Sequence, residues 1–184
     1  MVAIMANKIT IKPVDSEQMM RRHNHSDCLK HVLQAAESIC LARNIRLTQA
    51  RKRVLELICA SHQAIGAYQL LDQLKQQDNK AKPATIYRAL DFLMDAGLVH
   101  KVESLNAYIG CLSADQNHHS AILICDHCHN AYEMDARHCY DALHDNSKSF
   151  GFKPSQVIIE MHGICKECSS RMGIINQSVD EDCF

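Results

Sequence analysis

Residues 83–111, PATIYRALDFLMDAGLVHKVESLNAYIGC, decide the fold because they join a helix to a β-hairpin. Pro83 suits a first helical turn and Gly97 suits the residue just after a helix, so the spacing predicts a helix between them. The apolar period then changes, and Leu98–Glu103 and Ala107–Cys111 are predicted to be two short strands. This order is typical of a winged helix-turn-helix domain, whose last helix enters the DNA major groove.

Three more helices are predicted upstream of this segment. They cover Cys28–Ala42, a stretch from an N-cap at Thr48 through Ala60, and a stretch that starts near Ala67. Residues 1–27 lack periodicity and are predicted to form a loose arm.

Downstream of the hairpin the pattern indicates a small α/β unit. Strands are predicted at Ala121–Cys125, Ala131–Met134 and Gln156–Met161, with an amphipathic helix at Arg137–Phe150. The fold class is therefore α+β, divided into an arm (1–27), a winged-helix domain (28–104), a second domain (105–168) and a C-terminal tail (169–184).

The charge is divided in the same way as the fold. The 184 residues carry a formal net charge of −1, but residues 28–103 hold 11 basic and 7 acidic side chains, whereas residues 104–184 hold 5 and 11. The basic density peaks at residues 43–53. A basic first half favours a nucleic-acid partner, although a solvated helix face would give the same charges.

Ten cysteines and twelve histidines point to metal rather than to disulfides. The apolar N-terminus of five residues is too short for a secretory signal, and no run of 18 apolar residues predicts a membrane span. We therefore expect a cytoplasmic protein without a membrane partner. Disulfides are rare in the reducing cytoplasm.

Two C-x-x-C pairs predict a structural zinc site. Cys125 and Cys128 form one pair, Cys165 and Cys168 form the other, and 36 residues separate the pairs. This separation exceeds that of a zinc ribbon, about 15–20 residues, but a strand, a helix and a strand in the spacer can bring the pairs together. Four thiolates would close a tetrahedron and leave no open position. A redox pair or buried thiols are the alternatives, and a redox motif would require a larger βαβ fold.

A second set of possible ligands surrounds the domain boundary. The set is His100, Cys111, His118, His119 and Glu133. Mixed nitrogen, sulfur and oxygen donors could hold a tetrahedral zinc, although a single surface histidine is usually solvated.

Four motifs in fixed order carry a family resemblance. Residues 47–51 (LTQAR), residues 82–90 (KPATIYRAL) and the two cysteine pairs resemble the ferric uptake regulator family, which comprises bacterial metal-responsive transcriptional regulators. The resemblance covers about residues 28–168. Cys111, Ala64 and the short His118-His119 run are most similar to the zinc-responsive branch, since a soft thiolate favours zinc over ferrous iron.

The resemblance implies two zinc ions per chain. The four cysteines match its structural site, and His100, Cys111 and Glu133 match sensing ligands. Counting back without a gap favours His118 as the fourth ligand, whereas a loop one residue shorter leaves His119 open. Adjacent side chains of an extended strand point to opposite faces, so only one of the two should coordinate.

The resemblance also implies a zinc-loaded homodimer, formed through the second domain, that reads a palindromic operator and represses zinc uptake genes. The DNA surface it implies contains Tyr68, Lys82, Thr85, Tyr87, Arg88 and Arg51. Arginine can bond guanine twice, whereas Lys82 and the basic residues 43–53 would hold phosphates. Packing of Tyr87 inside the domain is the alternative for that residue.

Two other functions compete with this prediction. One is an iron-responsive or peroxide-responsive regulator with the same fold. The other is a zinc hydrolase or deaminase, but base deaminases need H-x-E and P-C-x-x-C with an open zinc position. This chain has His100-x-x-Glu103 instead and lacks a proline before Cys125. We therefore expect neither an enzyme nor a small-molecule substrate.

Overall fold

The computed structural model describes residues 25–61, 63–76, 79, 81–111 and 119–174, and for residues 25–28 the backbone only. Most of the predicted arm and tail, and also His118, lie outside these residues. Within the described ranges, no helix is long and apolar enough to cross a membrane.

The first half of the described chain is a helical domain with a small antiparallel sheet. The sheet has the order β1-β3-β2, so the hairpin of β2 and β3 is extended by a very short strand. The elements are α1 (His25–Ala42), α2 (Gln49–Ile58), β1 (Ile65–Gly66), α3 (Ala67–Lys75), α4 (Pro83–Asp95), β2 (Val99–Val102) and β3 (Ala107–Gly110).

The helix ends confirm the predicted stop and start signals. The Thr48 side chain caps α2 by accepting a first-turn backbone N–H at 3.4 Å. Pro83 occupies the first position of α4. Gly97 has a φ of +74°, and the N–H of Leu98 reaches back to the Leu93 carbonyl at 2.9 Å, which is a Schellman end. These signals fix where α4 stops and the hairpin begins.

The second half is a three-stranded sheet with two helices. Its order is β5-β4-β6, with β5 antiparallel and β6 parallel to β4. The elements are β4 (Ser120–Cys125), β5 (Ala131–Asp135), α5 (Arg137–Ser149), β6 (Glu160–Gly163) and α6 (Lys166–Arg171).

The predicted strand at 156–161 is wrong in its bounds. The ladder with β4 pairs Ile122 with Glu160 and Cys125 with Gly163, so β6 begins at Glu160. In the apolar run before it, the Ile159 carbonyl accepts the Ile122 N–H at 3.0 Å. Pairing with β4, and not β-branched composition, sets the limits of this strand.

Two apolar clusters organise the molecule. The larger one fills the helical domain, with Leu55, Ile58, Leu70, Leu90 and Leu93 fully buried among its members. The smaller one joins Val102 and Ile109 of the hairpin to Ile122, Ile124 and Ala131 of the second sheet. The hairpin therefore packs directly against the second domain, and residues from both domains meet at this contact.

Candidate metal centres and nucleic-acid surface

The four cysteines of the C-x-x-C pairs come together at one end of the second sheet. Cys125 ends β4, and its in-register partner Gly163 lies two residues before Cys165, the N-cap of α6. This parallel pairing returns the second cysteine pair to the first, as the strand–helix–strand spacer predicts. The ligand atoms of Cys125, Cys128, Cys165 and Cys168 all lie within 4.8 Å of one another.

The spacing of the sulfurs fits a tetrahedral metal. A Zn–S bond of about 2.3 Å makes each edge of a sulfur tetrahedron about 3.8 Å. The Sγ atoms of Cys128 and Cys165 are 3.8 Å apart. Cys125 and Cys168 are 2% and 1% exposed, so the centre is closed on the side of the protein core.

Backbone donors favour an ionised sulfur at one position of this cluster. Burial opposes ionisation of Cys125, but backbone N–H groups of Cys165, Cys128 and His127 lower the pKa of its thiol to about 6. Burial raises the pKa of Cys165 to about 12 and also raises the pKa of Cys168. A metal cation among the sulfurs would supply the positive charge that holds these thiols ionised.

A second centre lies where the two domains meet. His100 of β2, Cys111 just after β3 and Glu133 of β5 place their ligand atoms within 4.8 Å of one another. His100 Nε2 is 3.0 Å from Glu133 Oε1, and Cys111 Sγ is 3.7 Å from the same oxygen. The donors therefore converge from both domains onto one point.

The donor chemistry of this second centre also fits zinc. Zinc bonds of about 2.3 Å to sulfur and about 2.1 Å to oxygen give a tetrahedral S···O edge of about 3.6 Å. Cys111 is 1% exposed and Glu133 is 7% exposed. A carboxylate is seldom this buried unless it is paired or bound to a metal.

Of the two adjacent histidines, the structure describes His119. The ring of His119 stacks on Tyr140 of α5, with centroids 3.8 Å apart and planes 11° apart. Among the described residues, the converging group does not include His119. His118 lies outside the described residues. Sequence reasoning did not identify Tyr140, although it is the one aromatic residue of the amphipathic helix α5.

The predicted DNA-facing residues lie largely exposed on α3 and α4. Tyr68 is 73% exposed and Tyr87 is 44% exposed, so Tyr87 is not a core residue of this chain. Lys82 and Arg88 are also exposed, and Thr85 is half-buried. The first two turns of α4 thus present polar, cationic and aromatic groups to solvent, a set that suits a DNA groove.

The basic segment 43–53 is partly engaged within the domain. Arg51 donates to the Arg46 carbonyl at 2.6 Å, and its guanidinium lies 3.6 Å from the Phe92 ring centroid. Lys52 pairs with Glu37 at 2.8 Å. Sequence spacing did not reveal Glu37 and Phe92 as partners, because they come from α1 and α4.

Comparison with known proteins gives consistent matches. The model of the ferric uptake regulator family matches residues 42–162. The zinc uptake regulation protein of Escherichia coli (strain K12) is 46% identical over 140 residues, which are 76% of this chain and 82% of that protein. A structure of a zinc uptake regulator complexed with zinc and DNA is 44% identical, with a TM-score of 0.76 over 79% of this chain and 97% of that chain. A crystal structure of holo XcZur is 39% identical, with a TM-score of 0.70 over 80% of this chain and 99% of that chain.

Proposed function

The chain belongs to the ferric uptake regulator family, and from this premise we propose that it is a zinc-responsive, DNA-binding repressor of zinc uptake genes. It acts in the cytoplasm as a homodimer, and it is a regulator rather than an enzyme. The similar zinc uptake regulation protein and the similar structure with zinc and DNA support this function.

The observation that carries the proposal is the convergence of His100, Cys111 and Glu133. His100 lies in β2 of the DNA-binding domain and Cys111 follows β3, whereas Glu133 belongs to the second sheet. Zinc bound there would supply the bonds that join these elements. A ligand set that spans two domains favours one arrangement of those domains, so the DNA-binding surface responds to the zinc concentration.

We assign His118 as the fourth sensing ligand. The His119 ring stacks on Tyr140 and, among the described residues, is not one of the converging donors. Since only one of the two neighbouring histidines is expected to coordinate, this favours His118. The four-cysteine centre takes the second zinc of each chain and serves the fold.

The DNA surface is the exposed N-terminal part of α4 with Tyr68 of α3. Arg88 reads a guanine edge, while Tyr87 and Thr85 contact the groove wall. Lys82 holds a phosphate and so fixes the register of the helix. Arg51 adds positive charge from α2, although its guanidinium also braces Phe92.

The second domain supplies the dimer surface. None of the 13 residues of α5 is buried in this chain, and Phe150 and Phe152 after it are 86% and 64% exposed. Strand β6 lies at an edge of the described sheet and exposes Met161. Unpaired edge strands and exposed apolar side chains favour association with another chain. A second copy of the chain would pair with β6 and cover these apolar side chains. A two-fold dimer then presents two α4 helices to a palindromic operator.

Metal selectivity tests this function against its alternatives. We expect operator binding to appear with zinc at a far lower free concentration than with ferrous iron under anaerobic conditions, because Cys111 is a soft ligand. Fluorescence anisotropy with a DNA fragment from upstream of a zinc-import gene measures operator binding with each metal. Tighter binding with ferrous iron, or release from DNA by hydrogen peroxide at fixed metal, would assign the chain to an iron-responsive or peroxide-responsive function.

A further inference from the structure

A carboxylate from the second domain accepts hydrogen bonds from the turn of the hairpin. The Glu103 N–H donates to Glu160 Oε1 at 2.6 Å, and the Ser104 N–H donates to Glu160 Oε2 at 3.1 Å. Both carboxylate oxygens of Glu160 in β6 thus accept hydrogen bonds from two successive backbone amides, which lie 57 and 56 residues away in sequence. Hydrogen bonds to an ionised carboxylate are roughly twice as strong as neutral ones.

A histidine two residues further along β6 reaches the same turn. His162 Nε2 lies 3.2 Å from Ser104 Oγ, and His162 Nδ1 lies 2.9 Å from Asp126 Oδ1. Alternate residues of a strand share a face, so Glu160 and His162 act on the turn from one side. Since Asp126 follows β4, the imidazole connects the hairpin turn to two strands of the second sheet.

These contacts add a second attachment point along the hairpin. The first is at His100, whose Nε2 is 3.0 Å from Glu133 Oε1. The second is at the turn, where Glu160 and His162 bind. The apolar contact between the hairpin and the second sheet already brings the domains together. Polar contacts at two separate points, one on β2 and one at the turn, then fix the orientation of the hairpin on that sheet.

We propose that Glu160 and His162 are positioning residues that hold the domains in the arrangement in which His100, Cys111 and Glu133 converge. They thereby set the free zinc concentration at which the operator is bound. The second statement rests on the proposed function, but the first does not. Burial opposes ionisation of Glu160, but hydrogen bonds from Ser104 and Glu103 lower its pKa below 4.5, so the carboxylate is ionised at neutral pH.

Linkage defines the effect of removing the contact. Zinc and the β6 contacts favour the same arrangement, so excess zinc compensates for a lost contact. We expect Glu160→Ala to raise the free zinc needed for half-maximal operator binding by about tenfold, the size of one partly exposed charge-assisted hydrogen bond. His162→Ala shifts it in the same direction by less. The operator affinity at saturating zinc stays within about twofold of the wild type.

The experiment uses the full chain as a dimer, a fluorescent operator fragment and buffered free zinc. Zinc affinity of the second centre is measured separately by chelator competition. Asp145→Asn is the matched control, because this exposed carboxylate lies in the same domain and forms an ion pair with Lys148 of its own helix. Glu160→Gln provides a conservative variant of the same shape and is expected to lie between Glu160→Ala and the wild type.

Several outcomes would overturn the proposal. Superimposable zinc curves for Glu160→Ala and wild type would remove the positioning role. A loss of operator affinity that saturating zinc does not restore would assign Glu160 to DNA contact or to folding instead. If the wild type bound zinc but no operator, the proposed function would fail. In that case the positioning role would still require Glu160→Ala to bind zinc more weakly than the wild type. Equal zinc affinities of the two proteins would refute the positioning role.

Discussion

Replacing Cys168 with alanine should unfold the second domain and leave the winged-helix domain intact. Cys168 is 1% exposed in α6, and its sulfur belongs to the cluster that also contains Cys125 at the end of β4. The cluster therefore connects α6 to the sheet. With three cysteines left, the site loses its closed tetrahedron and most of its metal affinity.

The sizes of the competing contributions make this loss decisive. Among residues 119–174, the large aliphatic side chains that are buried are Ile122 and Ile124, and the remaining buried apolar residues are alanines and cysteine ligands. Two such side chains contribute about 3–6 kcal/mol on burial. A structural zinc site contributes about 10–16 kcal/mol in peptides, which is comparable to the whole stability of a typical domain, about 5–15 kcal/mol.

Hydrogen exchange detected by mass spectrometry measures this outcome in each domain separately. In Cys168→Ala we expect β4 and β6 to exchange at unprotected rates while α2 and α4 stay protected, and we expect sedimentation to show monomers. Cys139→Ala is the control, since Cys139 is an exposed cysteine of α5 in the same domain. Wild-type protection of β4 and β6 together with a dimer in Cys168→Ala would refute a structural role for this centre.

Three further predictions concern other parts of the molecule. Arg88→Ala should weaken operator binding by about 1–3 kcal/mol and relax the sequence preference. Lys82→Ala should instead weaken binding to all DNA sequences alike and reduce the salt dependence of binding. Competition with mutated operators separates these two outcomes. A Cβ at Gly110 would lie 2.4 Å from Cys59 Sγ, so Gly110→Ala should cost about 1–3 kcal/mol of unfolding free energy, and Cys59→Ala should recover most of it in a urea double-mutant cycle. Additive losses would contradict this clash. The pKa of Glu160 is lowered from 4.5, so its contact is complete at neutral pH and is lost only as the pH falls through that lower value. His162 also contributes to this lowering, so the test is made above about pH 8, where histidine side chains ordinarily stay neutral. The zinc shift caused by Glu160→Gln should be the same at about pH 8 and 9, and a tenfold change between them would contradict this.

Local sequence signals were sufficient for most of the fold. The cap at Thr48, the proline at Pro83 and the glycine at Gly97 each act within one helical turn, so they were readable without tertiary information. Two C-x-x-C pairs also identified the four-cysteine centre, because their spacing is itself the geometry of two zinc knuckles. Their position at the domain boundary suggested His100, Cys111 and Glu133 as possible ligands, and the family resemblance assigned them to a sensing site.

Features that depend on distant pairing were not readable from the sequence. Strand β1 has two residues, too few to show a period of two, and it exists because Ile65 pairs with Tyr108. Strand β6 begins later than its apolar run because the register with β4 decides it. Glu160 and His162 carry no motif, and their contacts with Ser104 appear only when two domains pack together.

The central claim is that ligands from two domains make DNA binding depend on zinc. Its most direct test measures operator affinity across buffered free zinc for the wild type and Cys111→Ser, with zinc counted per chain. We predict two zinc ions and a zinc-dependent rise in affinity for the wild type, and one zinc ion, an intact fold and no such rise for Cys111→Ser. Full zinc-dependent operator binding by Cys111→Ser, or by a wild type holding a single zinc ion per chain, would contradict the claim.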